Sequence, residues 1–184
     1  MQQLIDNYEI PRSFSSADIL KLVENQANLV THPEIAKYHN INHLLGPYNA
    51  CIILYITREG SQRGSLYGHW CCIFRNINNG ILTYFDPYGR PIDAAVNFMT
   101  NQMVREFGRV PELTLLLQRS PPELIDVNKY DLQIHRKGIS TCGRHTGMRL
   151  QFRQLNNAEY AALMSPTKKL VPDEVVTLMT SFIN

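Results

Sequence analysis

Gly68-His69-Trp70-Cys71-Cys72-Ile73-Phe74-Arg75-Asn76-Ile77-Asn78-Asn79-Gly80-Ile81-Leu82-Thr83-Tyr84-Phe85-Asp86-Pro87 reads as two strands folded back on each other. β-Branched and aromatic residues dominate both halves, and Asn78-Asn79-Gly80 between them is a strong hairpin signal. Strands are expected from His69 to Arg75 and from Ile81 to Phe85. A two-residue loop at Asn79-Gly80 would pair Asn78 with Ile81; a four-residue loop from Asn76 to Asn79 would pair Arg75 with Gly80. The second register places His69 directly opposite Asp86, and the first displaces them along the ladder. In both they share a face, so an imidazole and a carboxylate can meet. Pro87 ends the strand, leaving Asp86 where it can bond one ring nitrogen of His69 and free the other as a base. An ordinary surface ion pair is the competing reading.

Outward from the hairpin, the chain reads as mixed α and β without repeats. Ser15 or Ser16 can cap a helix running to about Leu29, with Ile19, Leu20, Leu22 and Val23 as its apolar stripe. Ala50 to Ile56 has the character of a buried strand, which makes Cys51 a core residue. Pro91 to Phe107 shows helical spacing and stops at Gly108. Further strands are expected from Leu113 to Gln118 and from Tyr130 to Ile134, a long helix from Thr141 to about Leu155, and a last helix opened by Pro172. With 184 residues, 44% of them hydrophobic, one domain over 1–184 is the expectation. A net charge of +2 and a pI near 8.4 permit nucleic-acid contact without demanding it. Met1 to Ile10 has no signal-peptide pattern and no stretch reaches membrane-spanning length, so a soluble protein of a reducing compartment is expected. The four cysteines form neither a disulfide framework nor a zinc pair, and the scattered histidines lack ligand spacing.

Cys142 is the cysteine with a reactive setting. Ser140-Thr141 offers capping hydroxyls that would place its sulfur in the first turn of a helix, where free N–H groups and the dipole favour thiolate. Gly143 would remove bulk where a substrate carbonyl approaches, and a polar loop precedes the turn. Cys71 and Cys72 lack these features and read as strand residues, at least one of them buried. Gln133 is either polar surface or an amide donor that, with the Cys142 N–H, holds the oxygen of a tetrahedral intermediate. His69, Asp86, Gln133 and Cys142 together supply the base, orienting carboxylate, amide donor and thiol of a cysteine-nucleophile hydrolase.

This order, His69-Trp70, Asp86, Gln133, Cys142-Gly143, resembles the adenovirus maturation endopeptidase family and, more distantly, the proteases that process ubiquitin-like proteins. The match is strongest from Gly68 through Gly89 and at Thr141-Cys142-Gly143-Arg144-His145. The Cys-Gly-Arg-His form resembles the branch found in large DNA viruses, virophages and virus-like transposons. The resemblance implies an α+β, papain-like fold with a central, mostly antiparallel sheet flanked by helices and the nucleophile at the start of a buried helix. It implies Cys142 as nucleophile, His69 as base and acid, Asp86 orienting His69, and Gln133 in the oxyanion hole. Trp70 would wall the cleft, unless it is plain core packing. The nine-residue interval from Gln133 to Cys142 is longer than the family pattern, and His145 is a rival base.

By that resemblance the function is viral: an endopeptidase cutting capsid or core precursors at glycine-containing sites during virion maturation. Its place would be the host cytoplasm or viral factory, with packaging in the virion. An isopeptidase acting on ubiquitin or a ubiquitin-like modifier is the alternative, and a binding module or cysteine acyltransferase comes third. No metal or cofactor is required; stimulation by DNA or a viral peptide follows from the resemblance alone. His135-Arg136-Lys137, Arg144, Arg149, Arg153 and Lys168-Lys169 form no single basic block and are read mostly as solvated faces.

Overall fold

A computed structural model describes residues 12–60, 66–136, 139–166 and 170–183. The Ser15 hydroxyl accepts the Asp18 N–H, and the Asp18 carboxylate answers the Ser15 N–H, a capping box that starts α1 at Ser16–Leu22. The helix does not reach Leu29. Glu24 and Asn25 both adopt left-handed backbone conformations, which turn the chain into strand β1, Asn28–Thr31. Helix α2, Ile41–Leu45, is capped by Asn40 and leads to β2, Ala50–Glu59. The hairpin strands are β3, Leu66–Arg75, and β4, Leu82–Phe85.

The sheet order is β1-β2-β3-β4-β5, where β5 is the short Ile125–Val127. The β2–β3 and β3–β4 pairings are antiparallel, whereas the outer β1–β2 and β4–β5 pairings are parallel. A sheet buried on both faces can mix directions in this way.

Two elements depart from expectation in kind. Leu113 to Gln118 belongs to a helix, α4 at Glu112–Arg119, because Leu113 and Leu116 recur three apart and bury one side. A short leucine run without β-branched residues serves a helix as readily as a strand. Tyr130 to Ile134 forms no strand: the Leu132 and Gln133 N–H groups both bond the Pro87 carbonyl, at 2.8 and 3.1 Å, so the segment is committed to a turn. The helix expected from Pro91 is divided into a 3₁₀ turn, Ala94–Phe98, and α3, Asn101–Phe107. Thr100 caps the second piece through the Met103 N–H.

The remaining helices are α5, Cys142–Gln151, α6, Asn157–Met164, and α7, Pro172–Met179. Alternation along the central strands sends Ile52, Trp70, Cys72 and Phe74 to one face, under α1, α5, α6 and α7. Cys51, Ile53, Tyr55, Cys71, Ile73 and Tyr84 go to the other, under α3 and α4. The result is a mixed α+β architecture with a five-stranded sheet covered by helices on both faces.

α5 runs directly beneath β3, and its Thr146 hydroxyl donates to the Trp70 carbonyl at 3.1 Å. Its arginines are not solvated. Arg149 is fully buried, donating to the carbonyls of Phe152 and Leu155 and to Asn157 Oδ1, between the rings of Phe74 and Tyr160. Arg144 is equally buried, bonded to the Thr180 hydroxyl at 2.7 Å and stacked on Phe14. Planar guanidinium groups that bond oxygens and stack on rings can be held in a core where other cations would not be. Neither arginine can therefore form part of a surface for nucleic acid. Met1 to Ile10, Lys137 and Lys168-Lys169 lie outside the described residues.

Candidate active site

The β3–β4 register pairs Ile73 with Tyr84 and Cys72 with Phe85, midway between the two registers considered from sequence. The Asn76 N–H closes the turn on the Ile81 carbonyl, leaving four residues in the loop. His69 and Asp86 remain on one face, offset by two residues along the ladder, as the parity of both candidate registers requires. The offset is small enough for His69 Nε2 to stand 2.7 Å from Asp86 Oδ1. Asp86 is completely buried and His69 is 8% exposed, so this is not a surface ion pair.

The Asp86 turn is itself held tightly. Oδ1 also accepts the Tyr88 N–H at 2.8 Å, and the Asp86 carbonyl accepts from the Asn128 side chain and from Gly89 N–H. Tyr88 then stacks on the His69 ring, 4.8 Å between centroids and 23° apart in plane. Tyr88 and Asn128 are thus site residues that pattern alone did not isolate; Asp86-Pro87-Tyr88-Gly89 was the only signal, and it marks a turn rather than a stack. On the β2 side, Gly68 lies so close to the Tyr55 carbonyl that any Cβ would strike it. The approach falls beside a β-bulge between Ile56 and Arg58, and glycine there lets His69 hold its register.

Burial works against a charged His69, but Cys71, Asp86 and Cys142 outweigh it and hold the imidazole pKa well above its ordinary value. At neutral pH Asp86 is the charge responsible, because burial pushes the Cys71 thiol up to about 11 and leaves it neutral. The bond to Asp86 occupies Nε2; the ring also interacts with the side chains of Cys142 and Cys71. His69, Cys71 and Asp86 offer ligand atoms within 4.8 Å of one another, a trio that could hold a metal. Burial raises the thiols of Cys51 and Cys72 still further, marking both as core residues.

Cys142 is the first residue of α5 and is partly exposed, whereas Gly143 to Leu150 are buried. Thr141 makes no side-chain cap to the helix. Its hydroxyl donates instead to the buried carboxylate of Asp173 in the first turn of α7. Gly143 faces α1 and the strand below: an added Cβ would lie 2.8 Å from Phe14 Cβ and 3.3 Å from Trp70 Cδ1. Its small size makes room for packing at that point.

His69, Trp70, Gln133 and Cys142 line one cavity of about 730 Å³, together with Tyr88 and the apolar side chains of Phe14, Leu54 and Phe98. Gln133 is 2% exposed, and among the described residues its Oε1 has no hydrogen-bond partner. Trp70 both lines the cavity and packs in the core, so the two readings of it are compatible. His145 is fully buried, faces Asp173 at 3.2 Å and is not among the cavity side chains, which removes it as a rival base. Arg58, Arg90 and His69 are the titratable cations of the lining, and no carboxylate is found among the described lining residues. Such a set of groups can take a thiol proton, shield a base from water and present an amide to a developing oxyanion.

No helix among the described residues is long and apolar enough to cross a membrane. No protein-family model matches the chain. The crystal structure of selenomethionine ASFV pS273R protease aligns with 96% of this chain and 70% of that one, at 12% identity and a TM-score of 0.47. A superposition that loose supports no conclusion about chemistry. Sequence similarity reaches further: the chain is 35% identical over 173 residues to uncharacterized protein V9 of Sputnik virophage, spanning 91% of this chain and 94% of that protein. The chain belongs to the family of this virophage protein.

Proposed function

We propose that the protein is a cysteine endopeptidase of the adenovirus maturation type, serving a virophage or related virus by cutting capsid or core precursors at glycine-containing sites. The observation that carries this reading is the shared cavity, in which Cys142, Gln133 and the Asp86-paired His69 come together from three separate parts of the chain. A family relationship to a virophage protein supports the viral setting. In this mechanism His69 takes the thiol proton of Cys142 before attack, Sγ adds to the scissile carbonyl, and the imidazolium delivers its proton to the leaving amine as the C–N bond breaks. Asp86 holds the ring through Nε2 and stabilises its charged form. The Gln133 amide and the Cys142 N–H bind the oxyanion. Water, giving its proton to His69, then attacks the thioester carbonyl; the C–S bond breaks, the carboxylic acid product leaves, and the proton returns to the Cys142 sulfur.

The test is incubation of the virus's major capsid precursor with wild-type protein and with Cys142→Ala, beside a probe carrying a ubiquitin-like modifier with a thiol-reactive terminus. Cys142-dependent cleavage of the precursor without probe labelling is the expected result. Labelling without precursor cleavage would assign the isopeptidase activity instead, and cleavage that survives Cys142→Ala would remove the nucleophile. Parallel assays with added DNA test whether nucleic acid stimulates the enzyme; loss of the stimulation at high salt would mark it as electrostatic.

A further inference from the structure

We propose that Asp173 is a positioning residue that sets the oxyanion hole, by tying the chain beside Gln133 to the chain beside Cys142. The proposal rests on the cysteine endopeptidase reading above. Asp173 is fully buried, and its carboxylate gathers donors from two distant segments. Oδ2 accepts the Ile134 N–H at 2.8 Å. Oδ1 accepts the Thr141 hydroxyl and faces His145 Nε2 at 3.2 Å. Ile134 directly follows Gln133, and Thr141 directly precedes Cys142. One carboxylate therefore closes the nine-residue interval between the two oxyanion donors, whatever path the intervening loop takes.

Gln133 depends on that closure. Among the described residues its side-chain oxygen has no hydrogen-bond partner, so its placement leans on backbone anchors. There are two such anchors. The Gln133 N–H bonds the Pro87 carbonyl at 3.1 Å, fastening one side to the Asp86 turn, and the Ile134 N–H bonds Asp173 on the other. The Thr141 hydroxyl, unused as a helix cap, is the corresponding anchor for the start of α5. A hole preorganised in this manner costs no rearrangement when the oxyanion forms, which is where such donors act.

Asparagine at 173 keeps the size of the side chain but must turn an NH₂ group toward at least one of these donors. Thr141→Val removes the hydroxyl at constant shape, and Thr141→Ser retains it. For each variant the experiment measures kcat and KM on a precursor peptide, inhibition by the matching peptide aldehyde, and the rate of Cys142 alkylation by iodoacetamide. The aldehyde forms a tetrahedral adduct that needs the oxyanion hole; alkylation needs only the thiolate. Asp173→Asn and Thr141→Val should lower kcat by about 10- to 100-fold and weaken aldehyde inhibition in parallel, less than the roughly 100- to 1,000-fold for outright loss of an oxyanion donor, because the donors are displaced rather than removed. KM and alkylation should stay near wild type, and Thr141→Ser should match wild type throughout. If Asp173→Asn does not fold, the valine and serine pair at 141 carries the same comparison. Folded variants with undiminished kcat and aldehyde affinity would overturn the clamp while leaving the protease reading intact, as would alkylation falling in step with kcat. A wild-type protein that neither cleaves the peptide nor binds the aldehyde would overturn the protease reading, and the clamp with it.

Discussion

Replacing Gly143 by alanine sets two opposed effects against each other at the helix that carries Cys142. Alanine favours the helical backbone over glycine by about 0.8–1 kcal/mol. The added methyl, however, would sit 2.8 Å from Phe14 Cβ, 3.2 Å from Ile19 Cδ1 and 3.3 Å from Trp70 Cδ1. A Cβ atom cannot rotate away, so the backbone at Phe14 must retreat, and overpacking of that kind costs about 1–3 kcal/mol. Packing should win by about 1 kcal/mol, lowering Tm by roughly 2–4 °C for a chain of this size.

Gly147 supplies the control, one turn further along the same helix face. Its added Cβ would come 2.5 Å from Leu22 Cδ2, nominally a worse clash, but that atom is the free end of a flexible side chain. A rotamer adjustment costs about 0.5–1.5 kcal/mol and is offset by the helical gain, so Gly147→Ala should be near neutral. Urea and thermal unfolding of both variants measure the difference. A Gly143→Ala protein as stable as wild type, or more stable than Gly147→Ala, would refute the claim that Phe14, just before α1, is packed against α5 at Gly143.

Two further predictions concern the site and its support. Asp86→Asn removes the charge that raises the His69 pKa, so the alkaline limb of kcat/KM should move to lower pH, with a loss of about 10- to 100-fold at the optimum from a charged hydrogen bond worth about 1.5–3 kcal/mol. The sign follows from linkage. A raised histidine pKa contributes stability that is complete below the unfolded value near 6.5 and disappears as pH rises through the folded value, so wild type should also lose its stability advantage over Asp86→Asn on the alkaline side. pH-rate and pH-stability profiles that superpose for the two proteins would exclude this role. Arg149→Ala leaves the Phe152 and Leu155 carbonyls without their buried donor and opens a void between Phe74 and Tyr160, a loss of about 3–5 kcal/mol by denaturant unfolding. A cost below about 1 kcal/mol would mean that the guanidinium is solvated after all.

The fold was legible where local chemistry and tertiary packing ask for the same thing. Asn78-Asn79-Gly80 between β-rich runs specifies a hairpin wherever it occurs, and Ser15 caps α1 with Asp18 through atoms three residues apart. Leu113 to Gln118 failed as a strand because a short apolar run carries no period that distinguishes strand from helix; α4 is settled by which side can be buried. Tyr130 to Ile134 failed for another reason, since its Leu132 and Gln133 N–H groups are claimed by the Pro87 carbonyl, more than forty residues earlier.

For the site, the sequence alone determined which chemical groups exist and, through the odd parity of the hairpin, that His69 and Asp86 share a face. Period-two alternation makes that conclusion immune to the register, which differed from both expectations. Tertiary structure decided everything that depends on distance between segments: the placement of Gln133 and Cys142 around one cavity with His69, the stacking of Tyr88, the burial of Arg144 and Arg149, and the meeting of Ile134, Thr141 and His145 on Asp173. A buried carboxylate and an exposed one are the same letter in a sequence. What separates them is desolvation, and desolvation is a property of the packed chain.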